Sequence, residues 1–270
     1  MKNAFTIDFE DWYQGITIPI DKWNQYEKRI HVGHEKLLKL LQKNNTKATY
    51  FLLGKVIEEH PKIIQEIIDE GHEIGCHTYQ HKELYNLSPE SFKEEILSCQ
   101  QLIRENYGIE YKGFRAPYFS LDERSWWALD ILKDTGFEYD SSIYPGDNKR
   151  TGIKGFRKDI HLLENGLPEV PLSNFKLLKF DVGLGGAYFR ILPFLYFKQK
   201  FMSASKKAPV IFYIHPWELD PEHPFLPELS RRIRYPHYFN LKRTESKIDR
   251  LLQQFEFAPL SEIVTETNLV

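Results

Sequence analysis

Gly71-His72-Glu73-Ile74-Gly75-Cys76-His77-Thr78-Tyr79-Gln80-His81 is a half-apolar run that ends in two imidazoles four residues apart. If the chain turns helically after Cys76, His77 and His81 fall on one face, close enough to hold one cation. Two neutral imidazoles rarely suffice for a divalent metal, so a carboxylate from elsewhere should complete the set. The donor is sought near the other end of the chain, in Thr6-Ile7-Asp8-Phe9-Glu10-Asp11-Trp12. Asp8 and Glu10 point to one side of a strand by its period of two, and Asp11 points away unless the strand has already ended.

Outward from that run the sequence alternates strand and helix. Residues 4–8 read as a buried strand, 33–43 as an amphipathic helix, and 47–53 as a second strand stopped by Gly54. Residues 57–70 form one helical face of isoleucines capped by Gly71, and the strand leading to His77 follows. Ser88 and Pro89 open a helix that runs to about Tyr107. A strand over 111–114 delivers Arg115-Ala116-Pro117, a helix covers 125–133, and a short strand ends at Asp140. Strand–helix repeated four times argues for a parallel α/β barrel or a doubly wound sheet.

Residues 144–208 break this rhythm. They hold Pro145-Gly146-Asp147, a strand at 167–172 and the Gly183-Leu184-Gly185-Gly186 cluster, and read as loops and extra strands at one mouth of the barrel. The apolar run 209–214 is a strand buried on both faces that ends at His215-Pro216-Trp217-Glu218. A last helix over 245–254 and a short strand near Phe257 complete a single domain over 1–270. Its core is 1–143 and 205–264, and 144–204 is inserted. Asp8, Glu10, His77, His81, Arg115, Asp140 and His215 all stand at strand ends, where parallel barrels carry their chemistry.

The 270 residues include 41% hydrophobic ones and carry a net charge of −2, so no nucleic-acid footprint is expected. The 15 Tyr, 19 Phe and 5 Trp suit a flat polar ligand such as a sugar, and a thick core equally well. Cys76 and Cys99 do not make a disulfide framework. With no signal peptide and no apolar run of membrane-spanning length, the expected location is cytoplasmic. Homo-oligomerisation stays open.

These residues, in this order, resemble the polysaccharide deacetylase family (NodB homology, carbohydrate esterase family 4). Two later stretches, Gly185-Gly186-Ala187-Tyr188-Phe189-Arg190 and His215-Pro216-Trp217-Glu218-Leu219-Asp220-Pro221, resemble the subgroup of exopolysaccharide and surface-glycan loci. The resemblance implies a distorted (β/α) barrel and metal-assisted hydrolysis of an N-acetyl group on a sugar or glycan. It makes Asp8 the catalytic base, His77 and His81 metal ligands, and Arg115 the group that orients the base. Pro117 and Tyr118 shape one wall, His215 is the general acid, and Asp140 is the partner of that acid. The family's metal-binding acid usually follows the base directly, but Phe9 stands there, leaving Glu10, preferred, or Asp11. The expected cofactor is one divalent ion, zinc first, then cobalt, nickel or manganese.

Other residues receive plainer readings. Trp217 is a candidate to stack on a sugar ring, His72 is structural or exposed, and Glu73 lies on the solvent face. Arg231, Arg232 and Arg234 meet an anionic glycan or a lipid-linked diphosphate, or form a solvated basic loop. The competing functions are a cyclic amide or ureide hydrolase of the same fold, allantoinase-like, and a catalytically silent glycan-binding module.

Overall fold

Every residue of β1 (Asn3–Phe9) is buried, because a parallel neighbour lies on either side of it. The computed structural model describes residues 1–16, 18–146, 151–267 and 269; Asp147 of the expected Pro145-Gly146-Asp147 loop lies outside them. The other strands are β2 (Thr49–Leu52), β3 (Glu73–Cys76), β4 (Gly113–Phe114), β5 (Tyr139–Asp140), β6 (His161–Leu162), β7 (Pro168–Glu169), β8 (Asn174–Leu177), β9 (Phe180–Gly183), β10 (Ile211–Ile214) and β11 (Phe257–Ala258). The main sheet runs β10-β1-β2-β3-β4-β5-β7-β6, with β11 added to β1 and β8–β9 apart as a hairpin. Its pairings are parallel except β6 with β7. The architecture is the expected distorted (β/α) barrel, a curled sheet whose hydrogen-bonded path does not close.

Helices α1 (Ile30–Lys43), α2 (Gly54–Glu59), α3 (Pro61–Asp69), α4 (Pro89–Tyr107) and α5 (Ala128–Asp134) connect successive strands or follow them. α1 buries Leu37, Leu38, Leu40 and Leu41. α4 starts where Ser88 and Ser91 cap each other and stops at Gly108, whose φ of 66° suits glycine. The single helix expected over 57–70 is two, broken at His60, because Pro61 starts a new helix and cannot extend the old one. The strand expected over 167–172 is only Pro168–Glu169, and with β6 it extends the main sheet. α6 (Gly186–Ile191) and α7 (Phe194–Ser205) follow the hairpin; α8 (Arg231–Tyr238), α9 (Thr244–Leu252) and α10 (Leu260–Glu266) follow β10.

The core is aromatic around β1 and β10, where Phe5, Phe212, Phe257, Phe189 and Phe197 meet edge to face or tilted. Each such ring contributes about 1.5–3 kcal/mol by leaving water. This rigidity matters at the strand ends. Ile7 pairs with Ile214, so Asp8 comes to lie beside His215. Phe9 pairs with Leu52, Leu52 with Cys76 and Cys76 with Phe114, so Glu10, His77 and Arg115 each follow a matched position. Glu73 is the opposite case. It lies at the start of β3 and accepts hydrogen bonds from Thr49, Tyr139 and the Ser261 backbone, so it joins layers and does not face solvent. His72 accepts from the Ala48 N–H and is structural.

Candidate active site

A cavity of about 1080 Å³ opens at the C-terminal strand ends, lined by Asp8, Glu10, His77, His81, Tyr118 and His215 among others. Asp8 is buried, and its Oδ1 accepts from Arg115 Nη1 at 2.8 Å. Arg115 is itself immobilised: Nε and Nη2 donate to Ser141, Nη1 also to Thr6, and the Phe51 ring lies 4.2 Å from its guanidinium carbon. Burial would raise the Asp8 pKa, but the Arg115 guanidinium, aided by the His215 charge, outweighs it and holds the carboxylate below its ordinary range.

Glu10, His77 and His81 form the one cluster among the described residues whose donor atoms all lie within 4.8 Å of one another. His77 Nδ1 donates to the Arg115 carbonyl at 2.7 Å, leaving Nε2 for the cluster. Burial lowers the His77 pKa to about 4, so the ring is neutral, as a cation requires. Glu10 is held ionised, down to about 2: burial opposes this, and the His81 charge outweighs it. Glu10 Oε2 and His81 Nε2 approach to 2.7 Å, yet Oε2 is buried with no hydrogen-bond donor aligned on it. One carboxylate oxygen and two imidazoles, buried and converging, suit a divalent ion such as zinc. Gly15 allows this packing, since a Cβ there would stand 2.5 Å from Glu10 Oε1.

The path to that cluster differs from the expected one. Residues 77–83 are not helical; Thr78 (φ 64°) and His81 (φ 56°) are left-handed, and the chain folds back to bring His81 beside His77, ring centroids 5.2 Å apart. Asp11 is not part of the cluster. Its carboxylate accepts from the backbone N–H groups of Trp12, Arg29 and Ile30, where α1 begins, and burial raises its pKa to about 6.

His215 stands across the cavity, its Nε2 3.5 Å from Glu10 Oε1 and 3.9 Å from Asp8 Oδ2. Asp140 does not reach it. That carboxylate accepts from Ser142 Oγ and N, and beside it Glu169 carries a pKa raised by burial and then by the Asp140 charge. The partner of His215 is Glu218, whose Oε1 lies 2.7 Å from Nδ1. The 3-10 turn Pro216–Leu219 brings them together, and α1 presses on it so closely that a Cβ on Gly33 would sit 1.8 Å from the Pro216 carbonyl oxygen. Behind Glu218 lies Arg190, fully buried, donating from Nε to Oε2 at 2.5 Å and from its other nitrogens to carbonyls of Pro236, His237 and Phe239. Burial lowers the His215 pKa; the Glu218 hydrogen bond and the charges of Glu10, Glu218 and Asp8 outweigh it and raise it to about 9.

Glu218 and Arg190 carry no role in the reading of the sequence. The signal available was a lone arginine ending an apolar run and a glutamate three residues after a strand-end histidine. Trp217 lines the cavity with its ring stacked against His215 at 5.3 Å and His237 at 4.4 Å, and its Nε1 reaches Glu10 Oε1 at 3.4 Å. Tyr118 lines the cavity, its hydroxyl donating to the Gln14 carbonyl, while Pro117 is buried behind it.

The family model described as polysaccharide deacetylase matches residues 21–139. Residues 21–139 thus carry the sequence pattern of the polysaccharide deacetylase family. A second model, a domain of unknown function (DUF3473), matches residues 141–265. A peptidoglycan-N-acetylglucosamine deacetylase of Bacillus cereus is 35% identical over 96 residues, 35% of this chain and 35% of its own length. A peptidoglycan deacetylase of Helicobacter pylori is 31% identical over 121 residues, 43% of this chain and 39% of its own. The matched region thus spans little more than a third of these relatives. Among solved structures, a Mycobacterium smegmatis protein provisionally assigned as a polysaccharide deacetylase superposes with a TM-score of 0.66 at 18% identity, covering 98% of this chain and 90% of its own; that likeness is one of fold. Among the described residues, no helix is long and apolar enough to cross a membrane.

Proposed function

We propose that this chain is a metal-dependent hydrolase that removes the N-acetyl group from a sugar of a polysaccharide or glycan precursor. The observation that carries the reading is a buried Asp8, kept ionised by Arg115, beside the Glu10–His77–His81 donor set and facing His215. An ion bound there supplies Lewis acidity to a carbonyl oxygen and makes water more acidic. Asp8 takes the proton of the attacking water, and Arg115 keeps its carboxylate aimed. Glu218 holds His215 Nδ1, so Nε2 faces the cavity and delivers a proton to the departing nitrogen. Amide nitrogen is a poor leaving group, which is why an acid is needed here and not for an activated ester.

Zinc is the proposed ion, on the strength of two histidines and one glutamate. A cytoplasmic location is supported by two buried cysteines that stand unpaired. The test is to load the purified protein with zinc and supply N-acetylglucosamine oligomers and allantoin in parallel. Acetate and a free amine from the oligomers are expected. Ring opening of allantoin alone moves the reading to a ureide hydrolase; no turnover by a zinc-loaded protein that binds the oligomers moves it to a silent glycan module.

A further inference from the structure

The cavity has a rim that the chemistry above does not use. The β8–β9 hairpin contributes Lys179 and Phe180 to its lining, and α8 contributes Arg232 and Ile233. β8 and β9 pair through Leu177 and Phe180, so the turn is the two residues Leu178 and Lys179. Leu178 is 90% exposed and left-handed, with φ of 55°. Turn stability favours glycine, asparagine or aspartate at such a position, and an exposed leucine there is disfavoured both by sterics and by water. Phe180 beside it is 60% exposed, and on the α8 side Tyr235 is 55% and Phe225 58% exposed.

The charge interleaved with these side chains is mostly positive. Lys179, Arg231 and Arg232 are exposed and make no ion pair among the described residues. Arg234 lies over the Phe225 ring and donates to the Pro227 carbonyl. Of the nearby acids, Asp181 is buried and bound to Lys176, while Glu222 and Glu228 are exposed in the segment preceding α8. Unpaired cations alternating with exposed leucine and aromatic side chains match an interface whose surface is anionic and whose interior is apolar.

We infer that this rim docks on a bilayer surface bearing anionic headgroups, with the hairpin tip inserted and the cavity mouth facing the membrane. Leu178 and Phe180 enter the headgroup boundary, and Lys179, Arg231, Arg232 and Arg234 meet lipid phosphates. Glycan tethered to that surface then reaches His215 and the Glu10–His77–His81 cluster without leaving the membrane. Docking is independent of turnover, so its failure and the failure of the deacetylase reading are separate results.

The experiment is co-flotation of the full chain with vesicles of phosphatidylcholine, alone or mixed with phosphatidylglycerol, at low and high salt. Binding is expected to the anionic vesicles at low salt and to weaken as salt screens the cations. Arg231→Glu with Arg232→Glu should weaken binding by at least about 25-fold, from about fivefold per basic residue near a charged surface. Leu178→Asn should weaken it about tenfold by removing apolar burial. Asparagine suits the left-handed turn, so this variant should melt no lower than the wild type, and its loss of binding is then not misfolding. Absence of flotation, equal binding to neutral and anionic vesicles, or wild-type binding by both variants each overturns the inference.

Discussion

The wall that carries Asp8, Glu10, His77 and Arg115 is assembled by adjacent strand ends in register, whereas the wall that carries His215 and Glu218 is assembled by a 3-10 turn braced from behind by Arg190. On the first wall, backbone pairing sets the positions, and the side chains inherit them. On the second, a buried ion pair from a distant helix sets the position, so removing one distant residue moves the reacting one. Trp217 connects the two, lying under His215 and reaching Glu10. The strand-built wall should therefore lose chemistry without losing shape, and the turn-built wall should lose both together when its brace is removed.

The largest effect is expected on the strand-built wall. Asp8→Asn should keep its fold and its metal while deacetylation falls by about 10²–10⁴-fold, because an amide cannot take the water's proton. Acetate release measured beside metal content on the same sample checks this; near-wild-type turnover by the folded variant would reassign the base.

His215→Ala is expected to be nearly as damaging, by up to about 10²–10⁴-fold on N-acetyl sugars. It should cost much less on activated acetate esters, whose leaving groups need no proton. Equal losses on the two substrates would mean that the ring merely plugs the strand end.

Arg190→Leu probes the brace. It leaves Glu218 buried without its counter-ion, so denaturant unfolding should show a destabilisation of about 3–5 kcal/mol. Adding Glu218→Gln should recover part of this loss by removing the stranded charge. A single variant as stable as the wild type would show that the second wall does not depend on Arg190.

A smaller effect is expected from Glu218→Gln alone, read as a pH dependence of the metal-free protein. His215 is raised from 6.5 to about 9, so its contribution to stability is fully present below pH 6.5 and lost as pH rises through about 9. The variant should narrow that window from its alkaline side. Melting temperatures taken across this range should therefore fall less steeply for the variant than for the wild type. The smallest effect belongs to Asp140→Asn, which should leave the alkaline limb of the rate profile in place, since Asp140 faces Ser142 and Glu169. A shifted limb would restore Asp140 as the partner of His215.

Much of the first wall is legible along the chain. Strands of two to seven largely buried residues are followed by polar side chains, and parallel strands place their ends together, so Asp8, Glu10, His77, Arg115 and His215 are readable one by one. The path from His77 to His81 is not legible, because helical and left-handed backbones both bring residues four apart near each other, and only the folded loop distinguishes them. Asp11 and Glu10 are alike in composition; what separates them is that the start of α1 offers N–H groups to Asp11.

The sequence determined the alternation of strand and helix, the strand ends and the chemical types standing there, because period, capping residues and apolar runs are local properties. Tertiary structure alone decided who partners whom. Asp140 and Glu218 both follow or end a strand near the same mouth, but Asp140 is turned toward Ser142, and Glu218 is turned toward His215 by a tight turn packed under α1. Arg190 meets Glu218 across 28 residues of chain, and the hairpin and α8, which precede and follow β10 in the chain, line one cavity. Such pairings depend on how layers pack in three dimensions, and no spacing along a chain encodes the direction in which a buried side chain finds its charge.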